Sequence, residues 1–155
     1  MMDCYDMMKE KAIVLPTPPP RGGIYSPMVR VGEKLYYTAG MGCKRDGRFM
    51  CIGQVGTDVT IEQAQEAARQ CILNLLSNIQ NEIGDLNNIK QIVKILGFVS
   101  SADGFGEQPV VMNAASSLLI DIFGVEAGCA ARTAIGTNAL PGNQSVEIEI
   151  VFEIK

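Results

Sequence analysis

The chain contains no histidine and no tryptophan, and only 19% of its 155 residues are charged. Without histidine, mechanisms built on an imidazole base are excluded, as are zinc sites of the His or Cys/His type. The five cysteines (Cys4, Cys43, Cys51, Cys71 and Cys129) are odd in number and form no C-x-x-C pair. Neither a disulfide framework nor a thiolate cluster follows from such spacing, and no metal or other cofactor is expected. No uninterrupted apolar run approaches the ~18 residues that span a bilayer, so no membrane segment is expected. Basic residues are few and scattered, with 13 Lys and Arg against 17 Asp and Glu, a net charge of −4 and a pI near 4.8. That balance gives no electrostatic footprint for RNA or DNA, and a nucleic-acid partner is not expected. Residues 1–10 carry Asp3, Asp6 and Glu10 and lack both the apolar stretch of a signal peptide and the Arg-rich pattern of a transit peptide. A cytoplasmic location is the expectation.

What is present in excess is apolar surface. AVILMFWYC residues make up 47% of the chain and 16 glycines come on top, more than a single domain of this length hides alone. With no span for lipid, the surplus predicts buried contacts between identical subunits.

Residues 1–28 hold five of the seven prolines, four of them within Leu15-Pro16-Thr17-Pro18-Pro19-Pro20. Such a stretch enters neither a helix nor a central strand, so residues 1–20 are expected to form an extended arm and residues 21–155 one domain. Residues 34–39 have strand composition and stop at Gly40; a second strand is expected near residues 49–54, after the turn signal Asp46-Gly47, and the two would pair as a hairpin. Thr60 with Gln63 reads as a capping box, and Ala64, Ala68, Cys71, Ile72, Leu75, Ile79 and Ile83 recur at helical spacing up to Gly84. Residues 89–99 are β-branched and apolar, a strand buried on much of both faces. Pro109 suits a first helical turn, and Val111, Ala115, Leu118, Leu119 and Ile122 trace a second helix to Phe123-Gly124. The last strands are predicted over residues 131–137 and 146–154, separated by the turn Leu140-Pro141-Gly142-Asn143. In the final one Val146, Ile148, Ile150, Phe152 and Ile154 alternate with Glu147, Glu149, Val151 and Glu153. The order β-β-α-β-α-β-β predicts an α+β fold, a mixed sheet with both helices on one face and the other face left for a partner.

Ala131-Arg132-Thr133-Ala134, Leu140-Pro141 and Val146-Glu147-Ile148-Glu149 together resemble the carboxy-terminal signature of the Rid (YjgF/L-PSP) family. Gly23-Ile24-Tyr25-Ser26-Pro27, Tyr37-Thr38-Ala39-Gly40 and residues 105–113 fall in matching order, so the resemblance covers residues 21–155. It is nearest to a less studied branch with a longer Pro-rich entry. The resemblance implies a chorismate-mutase-like fold, a homotrimer with clefts between adjacent subunits, and hydrolytic deamination of small enamines and imines to keto acids and ammonia. By the same resemblance Arg132 grips the carboxylate of a small-molecule substrate, Glu147 places the attacking water, and Tyr25, Gly40, Asn113 and Ala134 line the cleft. Two positions depart from the best-studied branch, which has Ser where this chain has Ala39 and Cys where it has Ala134.

Elementary chemistry makes so small a set sufficient. A guanidinium is a planar fork of donors that clamps a carboxylate bidentately. A 2-imino acid is already electrophilic at its imine carbon, so holding it beside one oriented water supplies much of the catalysis, and a glutamate can take the water's proton. The alternative is a cleft that binds a small carboxylate without turnover, or a scaffold of the same fold. The ribonuclease activity attached to the family by name finds no basic groove in this acidic chain.

Overall fold

The computed structural model describes residues 3–155. In chain order they form α1 (Cys4–Glu10), β1 (Met28–Val31), β2 (Leu35–Thr38), β3 (Met41–Gly42), β4 (Lys44–Arg45), β5 (Arg48–Phe49), α2 (Ile61–Ile83), β6 (Ile89–Ser100), α3 (Gln108–Gly128), β7 (Ala131–Thr137) and β8 (Val146–Ile154). The alternating strand β8 is the centre of the sheet, whose order is β1-β2-β8-β6-β7, with β3 also on β8. β6 and β7 run parallel, joined through α3, and the other pairs are antiparallel. Ala64, Ala68, Cys71, Ile72 and Leu75 of α2 meet Val111, Met112, Ala115, Leu118 and Leu119 of α3 over Val146, Ile148, Ile150 and Phe152 of β8, all buried. The Thr60 capping box is present, with Thr60 Oγ1 accepting from Gln63 N–H and Gln63 Oε1 from Thr60 N–H, and α2 stops at Gly84 with φ 82°.

Two expectations are corrected. The arm is not extended throughout: Asp3 caps α1 by accepting from the Tyr5 and Asp6 N–H groups, and Cys4 and Met8 are buried, while Lys11 pairs with Asp121 of α3 at 3.1 Å. Two apolar anchors and one cap are enough because α3 offers a surface to dock on. The strand at residues 35–38 does not pair with residues 49–54; it lies between β1 and β8, and Asp46-Gly47 instead turns the two-residue ribbon β4–β5. The second helix breaks where expected, at Gly124, which is non-helical at φ 77°, and a further short helical stretch then runs to Gly128.

The second face of the sheet is open. Val29, Val31, Tyr37 and Ile135 are exposed there, and Leu96, Phe98 and Val151 are half-buried. The register places Leu96 opposite Glu149 and Phe98 opposite both Ile135 and Glu147, so the carboxylates of β8 share this face with apolar side chains.

Candidate functional site

One irregularity in the edge along β8 builds a cleft. Tyr37 stands opposite Val151 and Met41 opposite Ile148, so the β2–β3 edge holds one residue more than β8 over that interval. The bulge is accommodated by Thr38, whose Oγ1 accepts the Ile150 N–H at 3.0 Å in place of a backbone carbonyl. Bulges of this kind locally re-aim chain and side chains. Here it brings Gly40 against Glu147: a Cβ on Gly40 would overlap Glu147 Oε1 and lie 3.0 Å from its carboxyl carbon. The cleft beside it measures about 430 Å³ and is lined by Tyr25, Ala39, Gly40, Lys44, Gln144 and Glu147 among others.

Glu147 is half-buried, and its carboxyl is held above the ordinary glutamate range, first by burial and then by the neighbouring Glu149 carboxylate. Gln144 Nε2 donates to Glu147 Oε2 at 3.0 Å. Tyr25 is fixed by its own loop, with its Oη accepting the Gly22 N–H at 3.0 Å and its carbonyl accepting from Arg21 Nη1 at 3.2 Å. Beneath the cleft, Cys43 and Cys71 are buried; a hydrogen bond from the Cys71 thiol lowers Cys43 to about 6, whereas burial holds Cys71 well up. Among the described residues no three Cys, Asp or Glu side chains gather as a metal-binding group.

Arg132 lies elsewhere. It sits on β7, the far edge strand, opposite Ile95, whereas Glu147 stands opposite Phe98. Two strand spacings and a three-residue offset put the two Cα atoms roughly 14 Å apart within one protomer. Arg132 Nη1 donates to Asn113 Oδ1 at 2.9 Å and Ser116 Oγ at 3.1 Å, and Nη2 to the Pro109 carbonyl at 3.4 Å. All three acceptors are neutral and belong to the first turns of α3, and among the described residues Arg132 forms no ion pair. Ala134, two residues on, packs partly buried against the core opposite Gly97.

The residues singled out in the sequence thus fall into two groups. Tyr25, Gly40 and Glu147 line one cleft; Arg132 and Asn113 are joined to each other on the opposite edge, with Ala134 beside them. Gln144 was not singled out, and its one sequence signal is its place three residues before Glu147, between a turn and an alternating strand.

A family profile described as "YjgF/chorismate_mutase-like, putative endoribonuclease" matches residues 10–154. The chain is 40% identical to "Protein TCP17" of Trypanosoma cruzi over 72% of its own length and 69% of that protein's. Its structure is similar to that of Atu1372 from Agrobacterium tumefaciens, a protein described as of unknown function, at TM-score 0.89 and 36% identity, covering 98% of this chain and 92% of that one. A protein described as a "putative endoribonuclease" from Shewanella oneidensis MR-1 superposes at TM-score 0.93 with 27% identity, covering 99% of this chain and 100% of the other. With its mixed sheet backed by helices on one face, the chain belongs to the YjgF/chorismate-mutase-like family.

Proposed function

We propose that the protein hydrolyses small reactive imines and enamines of the 2-imino acid type, in clefts where the Arg132 edge of one copy faces the Glu147 cleft of the next. The observation that carries this reading is Glu147, a half-buried carboxyl held above its ordinary range in a cleft that Gly40 leaves open to it. A carboxyl shifted towards neutrality is a better proton acceptor from water than an exposed one. Arg132 supports the reading: its guanidinium is oriented by neutral oxygens and has no acid partner among the described residues, the state of a fork awaiting a carboxylate. The two groups are too far apart to serve one small substrate in a single protomer, and the open apolar face offers the surface on which copies would associate as a homotrimer.

In this mechanism Arg132 holds the substrate carboxylate and so places the imine carbon. Glu147 accepts a proton from water as its oxygen bonds to that carbon, and the tetrahedral carbinolamine then takes the proton back on nitrogen. The carbinolamine hydroxyl then passes its proton through Glu147 to the nitrogen, ammonia leaves with the C–N electron pair as the C=O bond forms, and the keto acid remains. Water is the only co-reactant.

The test is to generate 2-iminopropanoate in place with an amino-acid oxidase and follow keto-acid release. Acceleration by the protein and its loss in Arg132→Ala are expected. Binding of the oxo acid without acceleration would favour the non-catalytic carboxylate binder. Cleavage of RNA by the same preparation, abolished by Glu147→Gln, would transfer the site to the activity named in the family's description.

A further inference from the structure

We propose that Gln144 is a positioning residue that holds Glu147 Oε2 and leaves Oε1 as the oxygen presented to the cleft, an inference that rests on Glu147 being the water-handling acid. Gln144 is 3% exposed, and both ends of its amide are engaged. Oε1 accepts the Cys43 backbone N–H at 3.1 Å, and Nε2 donates to Glu147 Oε2 at 3.0 Å. The backbone donor decides which way the amide points, because the flipped amide would set an NH2 against an N–H. Nε2 therefore has to face Glu147.

Two glycines make the arrangement possible. A Cβ on Gly42 would overlap the Gln144 amide, 2.8 Å from its Cδ, as one on Gly40 would overlap Glu147 Oε1. The edge strand thus leaves one recess for the amide and another for the free carboxylate oxygen. With Oε2 capped, rotation of the carboxyl would break a part-buried hydrogen bond, so Oε1 stays beside Gly40.

The same bond acts on the protonation of Glu147. A donor to the carboxylate favours its charged form and opposes burial and the Glu149 carboxylate, which push the other way. The other charged or titratable groups around it are Lys44, Arg21 and Tyr25, which line the same cleft, and the buried Cys71 thiol. None of these four hydrogen-bonds Glu147 among the described residues, so Gln144 is the contact to alter.

The experiment uses the full chain and two variants. Gln144→Leu removes both amide bonds; Gln144→Glu keeps an acceptor for the Cys43 N–H and replaces the donor, so it carries the test where the first fails to fold. The direct readout is the carboxyl-carbon NMR titration of Glu147, assigned by its disappearance in Glu147→Gln. The midpoint is expected to rise in both variants, further in Gln144→Glu because a second carboxylate then faces the first. Imine turnover at neutral pH should drop about tenfold, the scale of a lost hydrogen bond to a charged acceptor, with KM nearly unchanged. In the Glu147→Gln background, Gln144→Leu should cost no further turnover. An unmoved midpoint in a folded variant, or an equal loss of turnover in both backgrounds, overturns the proposal. A protein that turns over no imine would sink the reaction reading, while the NMR midpoint would still decide whether Gln144 governs Glu147.

Discussion

Arg132 and lysine carry the same charge, yet the three acceptors around Arg132 engage two separate guanidinium nitrogens and so set the plane of the fork. An ammonium has one nitrogen and cannot reproduce that plane. Arg132→Lys is therefore expected to lose about 100-fold in kcat/KM at unchanged net charge, of the order lost when a positioning clamp is disturbed; wild-type turnover would sink the clamp. Glu147→Gln should separate binding from chemistry, because an amide fills the same space but takes no proton. Calorimetry should find oxo-acid affinity near wild type while turnover falls by about 10²-fold or more. The raised carboxyl also has consequences for pH. As the base, Glu147 must be ionised, so the acid limb of the pH profile should lie above the ordinary glutamate range. For stability the sign is opposite. A group whose pKa is raised on folding contributes stability below its unfolded pKa, and that contribution is lost as pH rises through the folded value. Glu147→Gln removes that loss, so the variant should match wild type in acid and exceed it at pH 8. The gain should be no more than about 1 kcal/mol because solvent screens the half-buried carboxyl. Thermal unfolding at the two pH values measures it, and a variant less stable than wild type at pH 8 would contradict the raised carboxyl.

At the scale of elements, the bulge between β2 and β3 and the capping box of α2 make a contrast in what a single substitution should do. Gly40→Ala places a methyl where Glu147 Oε1 lies, and the flexible carboxylate end can swing aside. The fold should survive with a thermal midpoint close to wild type while turnover falls about tenfold or more, the cost of a misplaced reacting group. Thr60→Ala should do the reverse, removing the bond from Gln63 N–H at a cost of about 1 kcal/mol in denaturant unfolding with turnover unchanged. These elements differ also in how far they could be read in advance. Cap, periodicity and stop all lie within the residues of α2, and the Glu/aliphatic alternation of β8 is local, so both were legible. The helix α1 was not, because Cys4 and Met8 gain their burial from docking rather than from any local pattern. The separation of the site was not legible for a similar reason. Arg132 pairs with Ile95, whose side chain is in the helix-facing core, and Glu147 pairs with Phe98 on the open face. Three residues along a strand reverse the face, but the offset appears only once the register between distant strands is known.

For the whole molecule, the two half-sites and the open apolar face call for one arrangement. A second copy seated on Val29, Val31, Tyr37 and Ile135 would cover the exposed side chains of the sheet. The proposed homotrimer predicts sedimentation at about three times the chain mass, and Ile135→Asp, which would set an unpaired carboxylate in the face that a second copy covers, should yield folded monomers lacking turnover. A stronger test asks whether Arg132 and Glu147 of one site come from different chains. Arg132→Ala and Glu147→Gln are each expected to keep only about a hundredth of wild-type turnover alone. Unfolded together in equal amounts and refolded, they form mixed trimers in which each cleft draws its arginine from one chain and its glutamate from a neighbour. Half the chains supply an intact arginine and half an intact glutamate, so about a quarter of the clefts are complete, and about a quarter of wild-type activity should return. If each site instead drew both residues from one chain, every cleft would carry one lesion and no mixture would recover activity. Separately folded variants mixed without unfolding provide the control, with recovery only as fast as the subunits exchange.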